Sequence, residues 1–257
     1  MPGTSEPIAL GVIGGTGLYR LSALHEVETL EGDTRYGAPS GPVRVGRIAG
    51  KRVAFLARHG EGHSLPPHKV NYRANLRRLA DLGVRRVLAV NAVGGITPAY
   101  GPRVLALPNQ LIDYTWGRIS TICEEPGTEV VHVDFGDPYT PSLRQAVLRA
   151  AASAGVAVVD GGCHGVTQGP RLETRAEVER LRRDGCDLVG MTSMPEAAIA
   201  RELGLEYACL AVVANWAAGC GAQPGEPAAE ITMDEVLANV AAGSEGLPAL
   251  LERLLEG

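Results

Sequence analysis

Three apolar runs in this chain end in residues suited to holding a small anion. Residues 8 to 19, IALGVIGGTGLY, pass from a β-branched stretch into Gly14, Gly15, Thr16 and Gly17. FLARHGEGH turns polar at Arg58 and His59, and LAVNAVGG at Asn91, before Ala92, Val93 and a glycine pair. Glycine at a strand end lets backbone N–H groups approach an anion with no Cβ in the way. An arginine fork beside a hydroxyl and free amides is the chemistry for a tetrahedral dianion such as phosphate. Each feature also has a plainer reading. Gly15-x-Gly17 can be a tight turn, since Arg20 stands where a dinucleotide fingerprint needs its third glycine and no Lys-Ser/Thr follows to make a P-loop. Arg58 can be a surface ion-pair member and His59 a satisfied, partly buried ring. His59 and His63 share the spacing of a zinc helix, but Gly60 and Gly62 disfavour the helix that would align them, so no metal is expected. His68, between Pro67 and Lys69, reads as capping or packing.

The elements that must position these residues alternate. Residues 8–13, 43–50, 52–58, 85–95, 104–113, 156–169, 187–192 and 207–215 read as strands or strand ends, being short, apolar and β-branched. Helical patterns fill 71–82, 141–154, 174–184, 195–203 and 232–254, the first four stopped by Gly83, Gly155, Gly185 and Gly204. This alternation predicts an α/β class with helices on both faces of a sheet. At 257 residues and 45% hydrophobic content, one domain spanning 1–257 is expected, with 1–7 as a tail. Residues 219–230, GCGAQPGEPAAE, read either as a mobile flap near the site or as an ordinary surface loop.

Composition excludes several classes. The net charge of −5 and scattered arginines argue against a nucleic-acid partner. Five cysteines without C-x-x-C spacing suggest neither a zinc site nor a disulfide framework, and fit a reducing cytoplasm. No apolar run reaches the roughly 18 residues of a membrane span, and no leader pattern opens the chain, so a soluble cytoplasmic protein is expected.

IGGTGLY, FLARHGEGHSLPPHKVNYRANL, VNAVGGI, QGPRLETRAE and GMTSMPEAAIAREL together resemble the methylthioadenosine phosphorylase branch of the purine nucleoside phosphorylase family, most closely its 5′-methylthioinosine (6-oxopurine-specific) members. The likeness runs from about residue 8 to residue 240. It implies a one-domain fold around a mixed sheet, a homotrimer that shares site residues across its interface, and phosphate attack on the anomeric carbon of a purine nucleoside. No cofactor is implied; inorganic phosphate is a co-substrate. Carried over by position, the phosphate site falls on Thr16, Arg58, His59, Asn91 and Ala92, with His59 as a donor, and Met191 lies against the ribose. Glu196, nearby, reads instead as a first-turn carboxylate favoured by its helix dipole.

The base pocket departs from the methylthioadenosine enzymes. Where the resemblance places an aspartate pair and a serine, this chain has Asn215, Ala217 and Glu173. An asparagine can serve both nitrogen 7 and a 6-oxo group, and a carboxylate attracts the hydrogen that a 6-oxopurine carries on nitrogen 1. Asn215 and Glu173 are therefore the expected catalytic pair, meeting the charge that grows on the departing purine. A buried polar group facing the wrong partner costs about 1–3 kcal/mol, so adenine nucleosides should be poor substrates. At the sugar's 5′ end, inosine/guanosine phosphorylases carry a histidine where this chain has Met233, which cannot donate. Met233 favours a methylthio group over a hydroxyl, and His132 matches a histidine lent by a neighbouring subunit. The expected reaction is phosphorolysis of S-methyl-5′-thioinosine, with inosine and guanosine as the alternative substrates.

Overall fold

The computed structural model describes residues 6–18, 21, 23–125, 127–222 and 230–257. Eleven strands among these residues form one mixed sheet organised about β5 (Arg86–Gly95). Along one edge of β5 lies β11 (Glu206–Trp216), parallel over its full length. The other edge is shared. β1 (Leu10–Gly14) runs parallel to β5 from Gly11 opposite Val87 to Gly14 opposite Val90, whereas β10 (Leu188–Gly190) arrives antiparallel, with Val189 opposite Gly94 and Leu188 opposite Gly95. Between the two, Asn91–Val93 of β5 have no strand on that edge. β4 (Lys51–Ala57) continues the sheet beyond β1 in parallel. The C-terminal ends of β1, β4, β5 and β11 therefore gather at one rim, where open parallel sheets take their ligands.

Beyond β4 the sheet continues through β3 (Val43–Ile48) to β2 (His25–Leu30), both antiparallel to their neighbours. Past β10 lie β9 (Cys163–Val166) and β7 (Gln110–Asp113), joined in parallel. β6 (Leu105–Leu107) and β8 (Val158–Asp160) extend the far edge of β11.

Alternation along the central strands divides two cores. Tyr207, Cys209, Ala211 and Val213 of β11 face one side, with α1 (Tyr72–Asp81) and α4 (Ser193–Glu202). Ala208, Leu210, Val212 and Ala214 face the other, with α2 (Pro141–Ala154), α5 (Met233–Gly243) and α6 (Leu247–Glu256). A smaller cluster holds α3 (Arg175–Arg183) against Val189 and Ala217. Local signals account for the helix ends. Asn71 caps α1 by accepting from the Ala74 amide, and Thr174 and Glu177 form a reciprocal capping box on α3. Gly155 closes α2 in the left-handed region at φ 68°.

The expected α/β class with a mixed sheet and flanking helices is what the structure shows, with four departures. The run 104–113 is cut into β6 and β7 by Pro108 and Asn109, because proline cannot donate to a ladder. The run 156–169 is cut at Gly161 and Gly162, whose φ values of 97° and 98° leave the extended region. The single helix expected over 232–254 is two, α5 and α6, with Gly246 and Pro248 starting the second. Strand β2 was not expected; HEVETL is polar and almost wholly exposed, so it lacks the apolar run that marks a strand. Residues 1–5 of the expected tail and 223–229 of the expected flap lie outside the described residues.

Leu250 of α6 is fully buried in the second core. Leu250→Ala should lower unfolding free energy by about 2–5 kcal/mol, read as a shift of the urea midpoint with an unchanged slope.

Candidate active site

The gap on the β5 edge opens into a cavity of about 420 Å³. Gly15 and Thr16 reach it from the end of β1, and Met191 and Thr192 from the end of β10; Arg58 and His59 follow β4. Ala92 supplies the β5 wall, and Asn215 and Ala217 come from the end of β11. Gly15 must be bare, since a Cβ there would stand 2.7 Å from the Val90 carbonyl oxygen and 3.0 Å from Arg58 Nη1.

Arg58 is fully buried and so is its counter-ion, Glu196. The guanidinium donates from Nε to Glu196 Oε2 at 2.7 Å and from Nη2 to Glu196 Oε1 at 2.8 Å. Nη2 also donates to Asn91 Oδ1 at 2.8 Å, and Nη1 to the Val90 carbonyl at 3.3 Å. Tyr207 completes the carboxylate by donating its hydroxyl to Oε1 at 2.8 Å. Burial opposes the Arg58 charge, but the Glu196 carboxylate overrides it and holds the guanidinium above its ordinary range. One Nη1–H remains without an acceptor among the described residues, on a side chain that lines the cavity.

This geometry extends one expectation and corrects two. Glu196 does stand in the first turn of α4, but Met194 breaks from helical geometry and the carboxylate turns inward as the buried partner of Arg58. Asn91 does not line the cavity. Its Oδ1 accepts from Arg58, and its Nδ2 donates to Thr192 Oγ1 at 3.2 Å and Ser193 Oγ at 3.1 Å, so its side chain braces the arginine from behind. His59 is not a donor toward an anion in its neutral form. Its Nδ1 lies 2.8 Å from the Leu65 carbonyl, an acceptor only, so Nδ1 carries the hydrogen and Nε2 the lone pair. Burial first, and the Arg58 charge second, push the ring down to about 3, which keeps it neutral at physiological pH. Such a ring offers Nε2 as a hydrogen-bond acceptor.

The rest of the expected set divides similarly. Glu173 lines the cavity half-buried, and Thr167 Oγ1 donates to its Oε1 at 2.5 Å. Burial raises the carboxyl above its ordinary range, and the Thr167 hydrogen bond pulls the other way. Asn215 follows a bulge in β11 and donates through Nδ2 to the Trp216 carbonyl at 2.7 Å, leaving Oδ1 with no donor among the described residues. Met191 and Ala217 line the wall, and Met233 stands at the mouth, 59% exposed at the first turn of α5. His132 is exposed and does not line the cavity of its own chain.

Sequence reasoning missed Thr192, a second hydroxyl on the cavity wall that accepts from Asn91. Its signal was available, as it ends a short apolar strand just as Thr16 does. His63, with its ring centroid 4.3 Å from that of His59, also lines the cavity. Among the described residues no group of three His, Cys, Asp or Glu side chains could hold a metal ion.

Comparison with known proteins gives a consistent set of likenesses. The family described as the phosphorylase superfamily matches residues 9–256. A protein of Xanthomonas campestris pv. campestris named probable S-methyl-5′-thioinosine phosphorylase is 68% identical over 99% of this chain and 100% of its own length. One of Thermococcus kodakarensis named probable 6-oxopurine nucleoside phosphorylase is 41% identical over 96% of this chain and 91% of its own. Among solved structures, a methylthioadenosine phosphorylase from an antarctic soil metagenomic library superposes with a TM-score of 0.87 at 34% identity, covering 98% of this chain and 86% of that one.

Removing one charge of a buried pair strands the other. Glu196→Gln should cost about 3–5 kcal/mol of stability, measured by chemical denaturation. A loss within a few tenths of that of an exposed glutamate, such as Glu256→Gln, would show that the pair does not hold the site together.

Proposed function

This chain belongs to the phosphorylase superfamily, and from that premise we propose that it cleaves the N-glycosidic bond of a 6-oxopurine nucleoside with phosphate, acting chiefly on S-methyl-5′-thioinosine to give hypoxanthine and 5-methylthioribose 1-phosphate. The observation that carries the reading is that one cavity joins Thr16, Arg58 and Ala92 to Glu173 and Asn215. The first three are anion chemistry and the last two are purine chemistry, on opposite sides of the bond that must break. Relatives named for methylthioinosine and for 6-oxopurine nucleosides support the choice of base.

In this reading the Arg58 Nη1–H, the Thr16 and Thr192 hydroxyls and the Ala92 amide position the phosphate, while His59 Nε2 accepts from its protonated oxygen. Asn91 and Glu196 hold the arginine and do not touch the anion. Met191 supports the ribose. As the glycosidic bond stretches, positive charge on the sugar is balanced by the phosphate. Negative charge on the purine is met by the Asn215 amide and by the hydrogen bond to Glu173. Held in this way the reactants form a near-attack pair and need no covalent enzyme intermediate, metal or organic cofactor.

Met233 supports a methylthio group at the 5′ position, because each buried methylene contributes about 0.8 kcal/mol and the thioether offers no donor to a hydroxyl. Its 59% exposure favours a second reading, in which inosine and guanosine with their solvated 5′-hydroxyls are the main substrates. Exposed Trp116, Ile119, Val130 and Val131 lie in the segment that carries His132. That apolar surface supports a homotrimer in which His132 serves a neighbour's cavity. No described helix is long and apolar enough to cross a membrane, and five cysteines without a disulfide support a cytoplasmic location.

The test compares methylthioinosine, inosine, guanosine and methylthioadenosine with and without phosphate. Turnover should require phosphate and run fastest on methylthioinosine. Asn215→Asp should move the ratio toward the 6-amino substrate by about tenfold or more; an unmoved ratio removes Asn215 from base selection, and purine release without phosphate removes the phosphorolytic reading.

A pH prediction follows from Glu173. Its charged form is the one that accepts from nitrogen 1, and burial raises its pKa. Activity should therefore fall on the acid side at a higher pH than an ordinary carboxylate would set. Thr167→Val removes the donor that favours the charged form, so at saturating phosphate the acid limb of kcat/KM should move further upward. A limb that stays in place or moves down would dissociate Glu173 from the profile.

A further inference from the structure

Arg118 lies in the loop after β7, away from the cavity lining, and all five of its N–H groups are engaged. Nη1 donates to the carbonyls of Met191 and Met194, each at 2.7 Å. Nη2 donates to the carbonyls of Gln168 at 2.7 Å and Thr167 at 3.2 Å, and Nε to Gln168 Oε1 at 3.1 Å. The guanidinium carbon also sits 5.9 Å from the Tyr72 ring centroid. Among the described residues no Asp or Glu oxygen comes within ion-pair distance of it. Nη1 also reaches the Tyr72 hydroxyl at 3.4 Å. A half-buried cation met by carbonyl oxygens and one hydroxyl, with no carboxylate, contributes little as a charge pair; what it fixes is geometry.

The place of those carbonyls says which geometry. β9 and β10 are paired in parallel up to Val166 opposite Gly190, and a last ladder-like bond runs from the Thr167 amide to the Gly190 carbonyl at 2.8 Å. Beyond it the strands separate. One leads through Thr167, whose hydroxyl holds Glu173, and the other through Met191. Arg118 collects the next carbonyls of both branches, doing with one planar fork what the ladder no longer does.

We propose that Arg118 is a positioning residue that sets the separation between Glu173 and Met191, and hence the fit of the nucleoside but not of the phosphate. The assignment rests on the phosphorolytic reading above. Of the phosphate-facing residues, Thr16, Arg58, His59 and Ala92 stand on β1, β4 and β5 or just past their ends and none bonds to Arg118; Thr192 shares the Met191 branch, but its hydroxyl is held from β5 by Asn91 and not by Arg118.

The experiment measures both Michaelis constants and the 6-oxo to 6-amino preference for wild type, Arg118→Ala and Arg118→Lys, with folding checked by circular dichroism. In Arg118→Ala the nucleoside KM should rise by between about tenfold and a hundredfold, the phosphate KM should stay within about twofold, and the base preference should weaken. Added guanidinium ion at low concentration should restore part of the loss in Arg118→Ala. Arg118→Lys, which keeps the charge and most of the side-chain volume, should share the defect because an ammonium cannot span both branches. A nucleoside KM like that of wild type in Arg118→Lys, or parallel changes in both constants tracking a loss of folded protein, would overturn the assignment while leaving the reaction intact. Wild type without phosphate-dependent turnover would defeat both.

Discussion

Arg58 keeps its charge where water does not reach, and the surrounding structure is arranged around that fact. Desolvating two ions costs several kcal/mol each, and the cost is offset only when geometry is good and remaining donors and acceptors are met. Here all but one Nη1–H are met among the described residues, by four groups on three elements. Glu196 comes from α4, Asn91 and the Val90 carbonyl from β5, and Tyr207 from β11. The arginine is thereby a fixed point that ties the end of β4 to the centre of the sheet and to the helix behind it. It lies beside the stretch of β5 where β1 has ended and β10 has not begun, so that a central strand edge is left for something other than a strand.

Much of this was legible in the sequence. Helix ends were announced by Gly83, Gly155, Gly185 and Gly204, whose freedom to take positive φ acts locally. Two of the three expected polar strand ends, after β1 and β4, fall at the rim where parallel strands bring their C-termini; Asn91 and Ala92 lie instead within β5, which continues to Gly95 and is bared on one edge because β1 stops opposite Val90. What escaped was set by contacts between distant residues. Glu196 looks like a first-turn carboxylate until a partner 138 residues away buries it. Asn91 has the same composition facing a cavity or bracing an arginine. The tautomer of His59 depends on the Leu65 carbonyl, which only the turn between them brings into reach. Strand β2 was hidden for the opposite reason, since an exposed edge strand needs no apolar face to hold its place.

Glu173 and Asn215 show the limit from another side. Their identities speak about chemistry, a carboxylate and an amide for a 6-oxo edge, but their aim depends on neighbours with no chemistry of their own. Thr167 orients the carboxylate, the bulge before Asn215 sets the amide, and Arg118 spaces the strands that carry Glu173 and Met191. In the proposed reaction, selectivity among purines therefore belongs to these segments as a group and not to Glu173 and Asn215 alone.

The pairing of Arg58 with Glu196 has a consequence for the rhythm of catalysis. A guanidinium already neutralised by a carboxylate gives an incoming oxyanion a direction without draining its electron density, so the nucleophile stays reactive instead of being locked in a deep electrostatic well. The same shallow field greets the phosphorylated sugar after bond exchange. Under the proposed reaction an unpaired arginine would grip that product harder than this neutralised one, so the pairing eases departure as well as arrival.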